Sequence, residues 1–399
     1  MGDLSAPYRV SNRLARLIDR GLRGAPAGSR RWHFDTVLKP PTMGTPPDIT
    51  VGTATSTFVG SAGKDVDELY GGFRYLTLPV VANGGAHQTQ ISGFPTGNNT
   101  TTMVEFDYFG DAFEFLTYGN GKAYRITVDG QRTASDNHGI RTDLPNDSVL
   151  HYVLVDLGTR TNWRITLELE RGGLFYGLRI PKTASVYRTG MPSDVLACWL
   201  GDSWVEGSNA TATTYAMDSW ADVASRVLGW RRYVKAGIGG TGYLVDGSAG
   251  LKYIDRVQQD VIAHDPGAVV VSGGTNDIGA GKTAQQVCDA AVSLVQEITT
   301  ELPRAAVIVV TPWAATNPSQ VFLDAGTLMQ TALAGVADIV VNPSSDPVGD
   351  HWLQGSGSTT SQNGAGNSDY LVSANHPNWD GAEYLARRFV GALAAQLPV

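Results

Sequence analysis

The sequence predicts an α/β protein in two parts: an all-β jelly-roll sandwich, then a flavodoxin-like, three-layer α/β/α domain. Two patterns carry this. Across residues 48–190 apolar residues recur with period two; Trp163, Ile165, Leu167 and Leu169 alternate with Arg164, Thr166, Glu168 and Glu170, as in strands with one buried face. Across 191–399 continuous apolar runs alternate with helical patterns, which is how a parallel sheet covered on both faces reads. The 47 glycines among 399 residues supply the turns that a large β component needs.

Composition narrows the classes. With 42% hydrophobic and 17% charged residues, the chain can bury sizeable cores and is no charge-driven disordered polymer. Thirty basic against 38 acidic residues leave a net charge of −8, which argues against nucleic acid as the main partner, because phosphate binding needs a dominant basic surface. Cys198 and Cys288 are too few for a disulfide scaffold or a cysteine-rich zinc module. No apolar run reaches the roughly 18 residues of a membrane-spanning helix. The opening MGDLSAPYRV lacks the apolar stretch of a secretory signal. Location stays open between a virion, the extracellular space and the cytoplasm.

Residues 1–47 form the first region. Val10, Leu14, Leu17, Ile18 and Leu22 fall at helical spacing and predict an amphipathic helix over 11–23. Arg9, Arg13, Arg16, Arg20 and Arg23 line much of its other side. A helix docked on its own protein or on a larger assembly is preferred to one on a membrane surface or nucleic acid. The proline-rich run Lys39–Pro47 reads as a stiff, extended linker.

In 48–190 short strands are expected at Arg74–Val81, Met103–Phe109, Ala112–Tyr118, Ala123–Val128, Leu150–Val155, Trp163–Leu169 and Leu174–Ile180. Asn120-Gly121 and Asp129-Gly130 mark turns between them. In 191–399 strands are expected at Val195–Leu200, Tyr233–Val234, Ala268–Val271, Ala306–Val310 and Ile339–Val341. Helices should fall near Asp218–Leu228, Leu251–Ala263, Thr283–Leu302, Gln320–Ala337 and Gly381–Leu397. Reactive groups of such a domain gather beyond the carboxyl ends of its strands.

Four short blocks sit there. The first strand runs into Gly201-Asp202-Ser203-Trp204, and a serine at a strand-to-helix turn exposes its hydroxyl beside a backbone N–H. Alone the tripeptide also reads as a loop with a helix cap. The second strand ends in Gly237-Ile238-Gly239-Gly240-Thr241-Gly242. Such glycine density lets backbone approach another group closely; a tight turn is the plainer reading, and the spacing is not that of a P-loop. The third ends in Gly273-Gly274-Thr275-Asn276-Asp277. There Asn276 can aim its amide into the crevice and Asp277 can anchor the loop by accepting backbone N–H groups, or the pair forms a simple Asx turn. Finally, Asn375-His376-Pro377 precedes the last helix, the proline holding the histidine clear of it.

Taken in order, Gly201-Asp202-Ser203, Gly237-Ile238-Gly239-Gly240, Gly274-Thr275-Asn276-Asp277 and His376-Pro377 resemble the SGNH (GDSL-type) hydrolase family across the second half of the chain. The resemblance implies Ser203 as nucleophile and His376 as general base. It implies an oxyanion hole made by the backbone N–H groups of Ser203 and Gly240 and the side-chain amide of Asn276. The chemistry agrees: a serine hydroxyl needs an adjacent base, and preorganised donors must meet the charge that develops on the carbonyl oxygen. No metal or other cofactor is called for, and no HExxH or clustered ligand spacing exists to hold a metal. In the family an aspartate usually stands three residues before the histidine to orient it; here that position is Ser373. Asp369, Asp350 or Asp346 could substitute, or a carbonyl could hold the imidazole of a Ser–His dyad. Two-domain carbohydrate esterases with a jelly roll before the hydrolase domain are similar in layout.

The expected substrate is a short acyl ester, acetyl first, on a polysaccharide, with Trp204 and Trp313 beside the site. Hydrolysis of lipid esters or thioesters comes second. The rival from another class is a carbohydrate-binding adhesin or virion (phage-tail) protein with a degenerate hydrolase domain.

Overall fold

The computed structural model describes residues 47–53, 66–69, 74–77, 88–89, 95–96, 101–134, 138–170, 172–187, 196–209, 213–230, 232–247, 250–345, 351–356, 366–373 and 375–396. The helix expected over 11–23, most of the proline-rich linker, and Asp346 and Asp350 lie outside those residues. Packing divides the chain into two compact units that meet in sequence at 191/192.

Every ladder between described strands of the first unit is antiparallel. The strands expected at 103–109 and 112–118 are one strand, Thr102–Asn120. Those expected at 150–155 and 163–169 are likewise one, Asn146–Leu169. The cause is local. Pairing jumps from Ala112–Asp156 to Gly110–Thr161, and the surplus residues bulge outward around Gly158 (φ +71°), whose N–H donates to Asp156 Oδ1 at 2.8 Å. Across the same point the core-facing residues change phase, from Val104, Phe106 and Tyr108 to Phe113 and Phe115. A phase break in a sequence reads as a strand end, whereas a bulge lets the ladder resume.

Asp129 and Gly130 both take positive φ between the paired Val128 and Gln131, a two-residue hairpin turn of the type that Asp-Gly favours. The face expected to be polar is not all solvent-exposed. Glu168 and Glu170 are buried, Glu168 against the Arg125 guanidinium (Nη2–Oε1 2.6 Å) and Glu170 accepting the Ala123 N–H at 2.8 Å.

In the second unit β1 (Leu196–Gly201), β2 (Arg232–Gly237), β3 (Ala268–Ser272), β4 (Ala306–Val310) and β5 (Ile339–Val341) form a parallel sheet in the order β2-β1-β3-β4-β5. This is the flavodoxin-like order, whose switch point lies at the ends of β1 and β3. Every residue of β3 and β4 is buried, as central strands covered on both faces require. Among the described residues its α-helices are α1 (Ser203–Glu206), α2 (Trp220–Val227), α3 (Tyr253–Asp260), α4 (Thr275–Gly279), α5 (Ala284–Glu301), α6 (Gln320–Ala332), α7 (Ser368–Leu371) and α8 (Trp379–Gln396).

Capping boxes start α2 at Ser219/Asp222 and α5 at Thr283/Gln286, each satisfying amides with no intrahelical partner. Helix α6 stops short of the expected Ala337, and Gly335 just beyond it takes a left-handed φ of +80°. Under α2 and α8, Trp199 meets Trp220 edge to face at 5.2 Å and Phe389 at 5.6 Å. Beside them Lys235 and Asp222, both fully buried, pair at 2.7 Å.

Candidate active site

Strand β1 ends at Gly201, and Asp202 caps α1 by accepting the Trp204 N–H on Oδ1 at 2.9 Å. Ser203 is the first residue of α1, where a helix offers its own amide no acceptor. Its side chain stands 2.7 Å, Oγ to Nε2, from His376, although the two are 173 positions apart in sequence. A neutral Nε2 at that distance can accept the hydroxyl proton. His376 sits on a miniature hairpin in which Val372–Ser373 pair with His376–Pro377, turned by Asn375 at φ +63°.

The glycines after β2 are explained by close approach. A Cβ on Gly237 would stand 2.6 Å from the Glu206 Cα, and one on Gly239 would stand 2.9 Å from Glu206 Oε2 and 3.6 Å from Ser203 Cβ. Gly240 takes φ +77°, a conformation that favours glycine. The loop therefore lies directly on the turn that carries Ser203.

From α4, Asn276 donates Nδ2–H to the Thr241 carbonyl at 2.9 Å, and a primary amide has a second N–H to offer. Its neighbour Asp277 is fully buried and accepts three consecutive amides, from Tyr243 at 2.9 Å, Leu244 at 2.8 Å and Val245 at 3.0 Å. That carboxylate fastens the loop following Gly240 to the end of β3.

Burial pushes the Asp202 carboxyl up to about 7, against the Trp204 N–H bond that lowers it; Asp277 and Glu206 add to the rise and Arg256 opposes it. The residues expected to orient His376 were Asp369, Asp350 and Asp346, with a carbonyl as the alternative. Asp369 belongs to α7, but its side chain lies outside the described residues, as do Asp346 and Asp350 altogether.

Trp204 lies beside the site as expected, its ring 6.4 Å from that of His376, and Trp313 lies behind it. They stack on each other at 5.5 Å, only 3% and 1% exposed, and Trp313 Nε1 donates to Ser272 Oγ at 2.7 Å. Both rings are buried packing against the turn that carries Ser203. Two further residues were missed in the sequence. Arg256 on α3 donates to the carbonyls of Gly201 at 2.6 Å and Ala236 at 2.7 Å while pairing with Asp260 at 2.9 Å; it ties together the ends of β1 and β2. Its one sequence signal was the i,i+4 spacing of Arg256 and Asp260. Asn209 binds the hairpin of His376 and had no signal at all.

Among the described residues no group of three or more His, Cys, Asp or Glu is placed to hold a metal ion. No helix of the described residues is long and apolar enough to cross a membrane.

Comparison with known proteins bears on the fold. Solved structures with the same fold include a family two carbohydrate esterase from Cellvibrio japonicus, 13% identical over 84% of this chain and 98% of that one, TM-score 0.60. A family two carbohydrate esterase from Clostridium thermocellum in complex with cellohexaose is 16% identical over 75% and 93%, TM-score 0.54. An acetyl xylan esterase from the rumen bacterium Butyrivibrio proteoclasticus is 13% identical over 87% and 99%, TM-score 0.53. At such identities the likeness is one of fold, antiparallel β region and parallel sheet together. No curated protein sequence matches the chain. The model of the GDSL-like lipase/acylhydrolase family matches residues 199–384, just under half of the chain and a span that holds Ser203, Gly240, Asn276 and His376.

Proposed function

We propose that the protein is a serine esterase that removes short acyl groups, acetyl first among them, from a polysaccharide. The 2.7 Å approach of Ser203 Oγ to His376 Nε2 carries this reading. Ser203 Oγ attacks the ester carbonyl while His376 takes its proton. The oxygen that becomes negative accepts hydrogen bonds from the amides of Ser203 and Gly240 and from Asn276 Nδ2. His376 then returns the proton to the departing sugar oxygen, leaving an acyl group on Ser203. A water molecule, deprotonated by the same imidazole, attacks that acyl-enzyme, and Ser203 is regenerated with release of the carboxylic acid.

The choice of carbohydrate as carrier is supported by the esterases that share the fold, one crystallised with cellohexaose and one named for acetylated xylan.

The test is acetate release from acetylated xylan, with p-nitrophenyl acetate as chromogenic control. Wild type is expected to turn over both, and Ser203→Ala and His376→Ala neither. Activity confined to long-chain lipid esters would overturn the substrate. Sugar binding without turnover, unaffected by Ser203→Ala, would replace the enzyme with an adhesin.

A further inference from the structure

We infer that Asn209 is a positioning residue that sets the distance between nucleophile and base; the inference rests on the esterase reading above. Asn209 Nδ2 lies 3.0 Å from the Ser373 carbonyl oxygen, 2.9 Å from Ser373 Oγ, 3.2 Å from the His376 carbonyl and 3.2 Å from the Pro377 carbonyl. Carbonyl oxygens only accept, so the atom facing them is the amide nitrogen, and its two N–H bonds are shared among four acceptors. All four belong to the strand–turn–strand that presents His376.

That hairpin has just two residue pairs of its own, too little to hold a position by itself. Asn209 follows Ser203 by six residues, and the intervening chain is pinned to Ser203 by Gly207 N–H and Ser208 N–H, each donating to the Ser203 carbonyl at 3.0 Å. One short segment thus grips the base at two points, through Ser203 Oγ and through Asn209 Nδ2. Ser373 is the hairpin's other contribution: it is 7% exposed, and its hydroxyl faces Asn209.

The consequence is a division of labour. Displacing a reacting group by about 1 Å costs on the order of 100-fold in rate. Removing the donor should therefore act on the chemical step far more than on substrate affinity.

The experiment compares Asn209→Ala and Asn209→Asp with wild type on p-nitrophenyl acetate, with competent sites counted by an organophosphate burst. The aspartate has the same size but turns a carboxylate on three carbonyls. Both variants are expected to lose about 10- to 100-fold in kcat per titrated site, with KM within about threefold of wild type. A purely structural role would lower the number of titratable sites and leave kcat per site intact, and that result overturns the inference. So does wild-type kcat in Asn209→Asp beside an inactive Ser203→Ala. Undiminished turnover in Ser203→Ala instead removes Ser203 as the nucleophile, and with it the serine-esterase reading and this inference. Should both variants aggregate, hydrogen exchange of the Asn209 side-chain amide in the wild type decides: slow exchange supports the clamp, and exchange at the solvent rate overturns it.

Discussion

Asn276 reaches from α4 to the loop beyond β2 and donates its side-chain amide to the Thr241 carbonyl at 2.9 Å. That bond fixes the plane of the amide, and with it the direction of the second N–H, before any substrate arrives. Donors that need no reorganisation at the moment of reaction are the effective ones. Asn276→Ala is expected to lower kcat by roughly 10²–10³-fold with little change in KM. Steady-state kinetics on p-nitrophenyl acetate check this; a variant within threefold of wild type would take Asn276 out of the oxyanion hole.

Asp202 gives stability a pH dependence of definite sign. Its carboxyl is pushed up to about 7 in the folded protein, against about 3.9 for an unperturbed aspartate. Between those values the folded chain binds a proton that the unfolded chain releases, so stability falls as pH rises from about 4 to 7 and then levels off. Asp202→Asn keeps an oxygen for the Trp204 amide. It should match wild type near pH 4 and exceed it by a few kcal/mol at pH 8. Urea unfolding at the two pH values measures the difference; the same gap at both would refute the argument.

Gly237 and Gly279 separate necessary from incidental glycines. A methyl on Gly237 runs into the backbone of Glu206, whereas one on Gly279 meets nothing within 4 Å. Gly237→Ala should cost about 1–3 kcal/mol of stability and shift the turn bearing Ser203, lowering kcat. Gly279→Ala, at the end of α4, should be neutral or stabilise by up to about 1 kcal/mol. Melting temperatures and kcat for the pair decide.

The ion pair of Lys235 and Asp222 predicts a one-sided penalty. Asp222 also accepts from Tyr233 OH at 2.8 Å and Ser219 Oγ at 2.8 Å, and Lys235 Nζ also donates to the Ala216 carbonyl at 2.7 Å. Lys235→Ala leaves a buried carboxylate without its countercharge and should destabilise by about 3–5 kcal/mol. Lys235→Met with Asp222→Leu should recover part of that loss in urea unfolding; a double variant no better than the single would contradict it.

The sheet of the second unit was legible because its signals are local. Valine-rich runs such as Ala268–Val271 have no solvent face, and the helical patterns between such runs are read within a few turns of chain. The blocks around Ser203, Gly240, Asn276 and His376 were legible for the same reason: each lies at a strand end or helix entry. What escaped depends on partners far along the chain. Asn209 in Gly-Ser-Asn-Ala reads as an ordinary turn residue, and nothing nearby announces a hairpin 164 positions later. Trp204 beside a nucleophile reads equally well as surface or core until Trp313 is seen stacked on it. The long β strands were cut in two by reading, because a bulge and a turn interrupt a period-two pattern alike.

That bulge also marks where the first unit tolerates foreign sequence. Thr102–Asn120 and Asn146–Leu169, at 19 and 24 residues, form the middle of the ten-stranded sheet, and Gly158 already stands clear of it with open space around its α-carbon. A tag or epitope spliced in at Gly158 lengthens an outward excursion the ladder has absorbed. The same graft at Gly110, overlain by the Tyr108 ring, would pry the two longest ribbons apart along their shared edge.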